Sequence, residues 1–178
     1  MRRLRWLLVP ILVVPLAWLL TTGFGRDPRA ITSPLIGRPA PAWELTTLDG
    51  EILSSADLAG RPYLLNFWAS WCGPCVDEHP VLASAWEDHG DALSVVGALY
   101  QDGPDAAQAF LDRLGDAGYP HLLDSSGTLA VDFGVTGPPE TFFVDADGIV
   151  RDKVIGPMTP ATLDRWIASI PSAAAVDR

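Results

Sequence analysis

An apolar run from Tyr63 to Trp68 leads almost directly into Cys72-Gly73-Pro74-Cys75, and this succession most constrains the fold. The run has the length and composition of a strand buried on both faces, and helical spacing resumes at Cys72. A helix that begins there places the first sulfur among unpaired backbone amides. The sequence therefore predicts that Cys72 lies where a thiolate is stabilised.

The spacing of the two cysteines predicts thiol–disulfide exchange. Because the thiolate is the nucleophile, Cys72 is expected to attack a substrate disulfide, and Cys75, one turn further and more buried, to resolve the mixed disulfide. Gly73 and Pro74 fit this interpretation, since a proline in the first turn of a helix loses no hydrogen bond and stiffens the loop. We expect no cofactor beyond the redox-active Cys72–Cys75 disulfide itself.

Two other interpretations of the cysteine pair fit the spacing less well. A purely structural disulfide across four residues would constrain the unfolded chain little. A tetrahedral zinc site needs four ligands, and His79, one turn after Cys75, has no second cysteine pair to complete it. His89 and His121 lie far away in the chain and are expected at the surface, so we predict no metal site.

The order of strands and helices predicts an α/β fold with a central mixed sheet flanked by helices. An added N-terminal hairpin is expected around Asp49-Gly50. The predicted strands are at 43–47, 51–53, 63–68, 93–99, 141–144 and 149–154. The predicted helices are at 55–58, 72–86 (kinked at Pro80), 105–114 and 160–170, the last one capped by Thr159.

The N-terminal segment predicts a membrane anchor. Arg2, Arg3 and Arg5 precede an apolar run from Trp6 to Leu20, and about 20 such residues can cross the hydrocarbon layer as a transmembrane helix. The preceding arginines place the N-terminus in the cytoplasm and the body outside. We therefore expect a transmembrane signal-anchor at 1–25, a proline-rich tether at 26–41, one domain at 42–171 and a frayed tail at 172–178, with a cleaved signal peptide as the alternative.

Charge excludes one class of partner. The net charge is −10, although five arginines and a single acidic residue lie in the first 30 positions, so the rest of the chain is strongly acidic. Lys153 is the only lysine. Because a phosphate backbone requires a basic surface, we expect no nucleic acid partner.

Two segments carry a resemblance to the thioredoxin superfamily: residues 67–75 (FWASWCGPC), with Pro80 five positions later, and residues 134–142 (GVTGPPETF). Within this superfamily, the second segment resembles most specifically the membrane-anchored cytochrome c maturation family (CcmG/DsbE), with its ResA and TlpA relatives. The resemblance covers roughly residues 34–170 and implies a thioredoxin-like fold.

The resemblance also implies roles for individual residues. Pro139 maps onto the cis-proline whose loop grips an extended substrate, with an all-trans loop as the alternative, and Pro138 lacks the N–H that could pair with a peptide. Glu78 and Glu140 match acidic positions that line the groove and tune cysteine proton transfer. For Glu78 the alternative is a solvated helix charge.

Three further residues near the motif are expected to support it. Trp71 is expected on an apolar rim that contacts substrates, and Trp68 in the core. Asn66 stands where thioredoxins proper carry a buried aspartate, so it either leaves proton handling to the glutamates or water or serves as a simple hydrogen-bonding group.

The resemblance also implies the protein partners and the direction of electron transfer. It implies an exported reductase for cysteine pairs, such as those of apocytochrome c, that is recharged by a membrane thiol reductase of the CcdA/DsbD type. The catalytic domain is then periplasmic or otherwise extracytoplasmic. A disulfide-donating oxidase, a thiol peroxidase and a non-catalytic peptide-docking module remain alternatives.

Overall fold

The computed structural model describes residues 13–15, 18 and 33–170. Residues 13–15 and 18 are helical and exposed. The rest of the predicted anchor, the tether up to residue 32 and the predicted tail lie outside the described residues. Within the described part of the chain, no helix has the length and apolar character needed to cross a membrane. A compact unit begins at Ser33.

An antiparallel hairpin opens this unit. Strands β1 (Glu44–Thr46) and β2 (Ile52–Ser54) pair with each other, and a short 3-10 helix, Ser55–Leu58, follows at once. A bridge between Thr47 and Leu122 joins the hairpin to the edge of the main sheet. The predicted N-terminal hairpin is therefore confirmed.

The main sheet has five strands in the order β5-β4-β3-β6-β7. They are β3 (Tyr63–Trp68), β4 (Ser94–Leu99), β5 (His121–Leu123), β6 (Glu140–Val144) and β7 (Val150–Ile155). Strands β3, β4 and β5 are parallel, whereas β6 is antiparallel to both β3 and β7. The central position of β3 explains why every one of its residues is buried.

Four helices complete the fold: α1 (Gly73–His89), α2 (Pro104–Leu114), α3 (Thr128–Asp132) and α4 (Pro160–Ile167). Prolines stand in the first turns of α1, α2 and α4, where the missing N–H has no helical partner to lose. The Thr159 side chain accepts a hydrogen bond from Thr162 N, as its predicted capping role requires. Helix α4 ends at Ile167, three residues before the predicted end.

Two short elements were not predicted: strand β5 and helix α3. Strand β5 carries His121, which we expected at the surface but which is only 4% exposed. Burial lowers the pKa of His121 to about 4 and so keeps its ring neutral. That expectation was wrong because the sheet extends beyond β4, and a charged ring cannot be accommodated there.

The two faces of the sheet carry different partners. Leu64 and Phe143 pack with residues of α1 and α4 on one face. Phe67 and Phe142 pack with Phe133 and with apolar residues of the segment 35–58 on the other. Because side chains alternate along a strand, Asn66 shares the face of Leu64. The carboxyl end of β3 thus delivers its polar residue to the face on which α1 packs.

Substitution of Gly97 in β4 tests how tightly this sheet packs. A Cβ there would overlap the ring of His121 and lie 2.8 Å from Trp68 Nε1. We expect Gly97→Ala to lower the free energy of unfolding by about 1–3 kcal/mol, because rings in a packed core must shift to make room.

Urea denaturation followed by tryptophan fluorescence measures this loss. Gly137→Ala is the matched control, since nothing lies within 4 Å of the added methyl group and Gly137 lies in a loop between helix and strand. Equal losses in the two variants would contradict the packing argument.

Candidate active site

The two cysteines form a disulfide at the start of α1. Cys72 is the residue that caps the helix, and Cys75 N donates a hydrogen bond to Cys72 Sγ across 3.2 Å. Both residues are buried, with Cys72 4% and Cys75 2% exposed, whereas Gly73 and Pro74 between them are exposed. The Cys72 sulfur therefore lies where helix amides stabilise negative charge.

The loop after β4 supports the segment that precedes the cysteines. Ser70 N donates to Asp102 Oδ2 across 2.6 Å, and the Trp71 indole Nε1 donates to the Gln101 carbonyl across 3.3 Å. Gln101 has φ +49°, a left-handed conformation that is uncommon for residues other than glycine. Trp71 is 59% exposed, so it presents an aromatic surface beside the disulfide.

A buried carboxylate lies on the same helix as the cysteines. Glu78 is 1% exposed, so the alternative of a solvated helix charge does not hold. Its Oε1 accepts a hydrogen bond from Asn66 Nδ2 across 2.9 Å, and its Oε2 accepts one from Met158 N across 3.0 Å. Burial raises the pKa of Glu78 to about 7, although both hydrogen bonds lower it. This value lies where a carboxyl group can both take and return a proton near neutral pH.

Asn66 connects this carboxylate to the sheet. Its amide also donates to Thr141 Oγ1 across 2.9 Å, and Asn66 is 1% exposed. It therefore acts as a hydrogen-bonding group that orients Glu78, in accord with the simpler of the two expected roles.

A cavity of about 10 Å³ lies below the disulfide, about the room that one water molecule occupies. Its lining includes Cys75, Glu78, Asn66, His79 and Tyr119. The His79 ring donates from Nε2 to the Gly115 carbonyl across 2.7 Å. Burial raises the pKa of Tyr119, and the nearby charges of Glu78 and Asp116 raise it further. The cavity joins the second cysteine to the buried carboxylate.

The Pro138–Pro139 peptide bond is cis, as the resemblance implied. Pro139 is buried, and its carbonyl accepts a hydrogen bond from Gly156 N across 2.8 Å, whereas Pro138 is partly exposed. Phe67 pairs with Glu140 in antiparallel register. The start of β6 therefore lies beside the end of β3, at the same end of the sheet as the disulfide.

Glu140 does not share the environment of Glu78. Asn66 pairs with Thr141 and bonds to it, so the next residue along β6, Glu140, points to the opposite face of the sheet. Its carboxylate forms an ion pair with Lys153 Nζ at 2.7 Å and accepts hydrogen bonds from Thr136 N and Oγ1. The expected place of Glu140 in the groove beside the cysteines is therefore corrected.

The remaining predicted residues take structural positions. Trp68 is 4% exposed and packs against Phe110 and His121, with ring centroids 4.9 and 5.1 Å away, so its expected core position is confirmed. Pro80 lies inside α1 and is exposed, and the helix continues past it to His89.

Sequence reasoning missed Asp102, Thr136 and Lys153. Asp102 supports the loop before the cysteines, and the other two hold Glu140. The sequence offered one weak signal for Lys153, which is the single lysine of the chain and lies in a predicted strand. Its contact with Glu140 depends on the register between β6 and β7, which the sequence did not specify.

Comparison with known proteins places these features in a family. The model of the AhpC/TSA family matches residues 36–153. A thiol:disulfide interchange protein DsbE of Pseudomonas fluorescens biotype C is 41% identical over 159 residues, which cover 85% of each chain. The DsbE of Escherichia coli K12 is 37% identical over 170 residues, or 90% of each chain.

Solved structures agree with these relatives. A secreted Mycobacterium tuberculosis disulfide oxidoreductase homologous to E. coli DsbE is 27% identical and superposes with a TM-score of 0.65, over 72% of this chain and 96% of that one. The superposition confirms the predicted thioredoxin-like α/β fold.

The raised pKa of Glu78 predicts a dependence of stability on pH. The native state holds a proton that the unfolded state releases between pH 4.5 and about 7. The contribution of Glu78 is therefore fully present below pH 4.5 and is lost as the pH rises through about 7.

Urea denaturation of the oxidised protein at several pH values measures this contribution. We expect the wild type to lose about 3 kcal/mol more than Glu78→Gln between about pH 4 and about pH 8. Taking the difference between the two proteins cancels the titration of all other groups. Parallel pH profiles would contradict a raised pKa at Glu78.

Proposed function

The chain belongs to the AhpC/TSA family and to the DsbE-type thiol:disulfide interchange proteins, and from this premise we propose that it reduces disulfides of exported proteins. It is a thiol:disulfide interchange oxidoreductase. The observation that carries the proposed mechanism is the hydrogen bond from Cys75 N to Cys72 Sγ at the start of α1. It singles out Cys72 as the sulfur that helix amides stabilise as a thiolate.

The first step of the proposed reaction begins from the reduced protein. The Cys72 thiolate attacks one sulfur of the substrate disulfide, and a new S–S bond forms as the substrate bond breaks. The other substrate sulfur leaves as a thiolate and takes a proton. A mixed disulfide between Cys72 and the substrate results.

In the second step Cys75 attacks the Cys72 sulfur. Its thiol must first lose a proton, and Glu78, which lines the same cavity, is the proposed base, directly or through one water molecule. The second substrate sulfur leaves as a thiolate and is protonated. Two electrons and two protons have then passed to the substrate, and the Cys72–Cys75 disulfide has formed.

The proposed substrate surface has two sides. Trp71, Gly73 and Pro74 are exposed on one side, and Pro138 and the buried Pro139 form the other at the same end of the sheet. An extended peptide can lie between them as an added strand. Neither proline has an N–H, and the Pro139 carbonyl already accepts a hydrogen bond from Gly156 N, so the two prolines offer no donor to such a peptide.

The proposed setting is the outer face of a membrane. Residues 1–25 would anchor the protein with the N-terminus in the cytoplasm, and residues 172–178 would be a tail. Residues 26–32 would tether the unit that begins at Ser33, since residues 37–40 hydrogen-bond to residues 148–150 and so belong to that unit. Apocytochrome c before haem attachment is the proposed substrate, and a membrane thiol reductase of the CcdA/DsbD type the proposed electron source. The positive-inside pattern of the first arginines and the resemblance support this assignment.

Replacement of Cys75 by serine tests the order of the two steps. Without the resolving thiol, the mixed disulfide on Cys72 cannot be released, so we expect Cys75→Ser to accumulate as a covalent adduct with its protein substrate. Non-reducing electrophoresis and mass spectrometry of the full chain detect the adduct.

Cys72→Ser is the matched control, since it keeps one cysteine at the same site. We expect it to trap little, because Cys75 lacks the position at the start of the helix where amides stabilise a thiolate. Trapping by neither variant would indicate a docking module, and equal trapping would refute the assignment of Cys72 as nucleophile.

The reduction potential of the Cys72/Cys75 pair decides whether the protein passes electrons to its substrate or takes them from it. We expect a value near or below about −270 mV, which suits a reductase with an upstream electron source. Equilibration of the full chain against dithiothreitol buffers measures it. A value near about −120 mV would make the protein a disulfide donor instead.

A further inference from the structure

We propose that Glu140 and Lys153 are positioning residues that fix the cis-proline loop, defined here as residues 134–139, for binding of a peptide disulfide. This inference rests on the proposed function. It gives Glu140 a role different from proton transfer at the cysteines, and it makes Lys153 and Thr136 residues that act only through the position of the loop.

The ion pair between them is almost completely buried. Lys153 Nζ lies 2.7 Å from Glu140 Oε2, and the side chains of Lys153 and Glu140 are 6% and 0% exposed. Lys153 Nζ also lies 4.8 Å from the centroid of the Phe142 ring. A cation so enclosed needs compensating contacts, and the carboxylate and the aromatic face supply them.

Both members of the pair reach into the cis-proline loop. Lys153 Nζ donates to the Gly134 carbonyl across 3.1 Å, at the beginning of the loop. Glu140 Oε1 accepts from Thr136 N across 3.0 Å and from Thr136 Oγ1. Together with the bond from Gly156 N to the Pro139 carbonyl, these contacts hold the loop near both of its ends.

Between its fixed ends, the cis-proline loop has a short, partly exposed segment that a substrate can contact. Gly137 and Pro138 are partly exposed, between the fixed Thr136 and the buried Pro139. Thr136 N–H is already engaged by Glu140 and cannot donate to a peptide as well. The ion pair therefore limits which backbone groups of the loop face the substrate and where they lie.

This role separates peptide binding from sulfur chemistry. Glu140 points to the face of the sheet opposite Glu78, so loss of the ion pair removes no proton-handling group from the cysteines. A peptide must pair with the loop, whereas a small disulfide needs only access to Cys72. A substitution of Lys153 should therefore weaken the reduction of a peptide disulfide but not that of a small disulfide.

Single-turnover reduction by the full chain, purified in detergent and reduced beforehand, tests the inference. The probes are a synthetic unstructured peptide closed by one Cys-x-x-Cys disulfide, and bis(hydroxyethyl) disulfide. We expect Lys153→Met to raise the half-saturating peptide concentration about tenfold, as loss of a charge-assisted contact would. The rate with the small disulfide and the reduction potential should stay unchanged.

Arg151→Met is the matched control. Arg151 lies on the same strand as Lys153 and forms an ion pair with Asp145, at the other end of the β6–β7 hairpin from Glu140. Its removal also costs one ion pair but leaves the cis-proline loop untouched. We expect peptide reduction by this variant to match that of the wild type.

Thr136→Val provides a second test that does not unpair a buried charge. Thr136 is exposed, so valine can replace it with little effect on folding, yet the hydroxyl bond to Glu140 is lost. We expect the half-saturating peptide concentration to rise about threefold.

Three results would overturn the inference: an unchanged peptide reaction in Thr136→Val, equal losses with both probes in Lys153→Met, or an equal effect of Arg151→Met. Failure of the proposed function has a different signature. In that case the wild type itself would reduce the small disulfide but leave the peptide oxidised.

Discussion

The carboxylate of Glu78 accepts hydrogen bonds from Asn66 on the central strand and from the backbone of Met158, just before the last helix. Through these two bonds it ties the cysteine-bearing helix α1 to the sheet and to the C-terminal segment. A neutral side chain could fill this space at lower desolvation cost. The carboxyl group is instead buried below Cys75, where its raised pKa matches the proton transfer that disulfide exchange requires.

His121 is a second buried titratable group, and its effect on the pH dependence of stability is opposite to that of Glu78. The pKa of His121 is lowered to about 4 by burial, so the unfolded state binds the extra proton between about 4 and 6.5 and stability rises with pH there. Glu78 has the opposite sign between 4.5 and about 7. Over their common range the two contributions oppose each other, which makes stability less sensitive to pH than either group alone would.

Local signals in the sequence were sufficient for much of the fold and for the cysteine site. The run at 63–68, the Cys-x-x-Cys motif and the Thr159 cap each act over a few residues, and the structure has all three. Strand β5 and helix α3 have three and five residues, too few for a periodic pattern to emerge. They form because the sheet edge and the core next to Phe133 give them tertiary partners.

The misplacement of Glu140 has a different physical origin. Neighbouring residues of a strand face opposite sides of the sheet, so Thr141 joins the network of Asn66 and Glu78 while Glu140 joins Lys153. A motif that places Glu-Thr after the cis-proline does not say which residue faces the cysteines. The register of β6 on β3 decides this. In the proposed mechanism it separates two tasks, because the face of Glu78 handles the proton and the face of Glu140 holds the loop that meets the substrate.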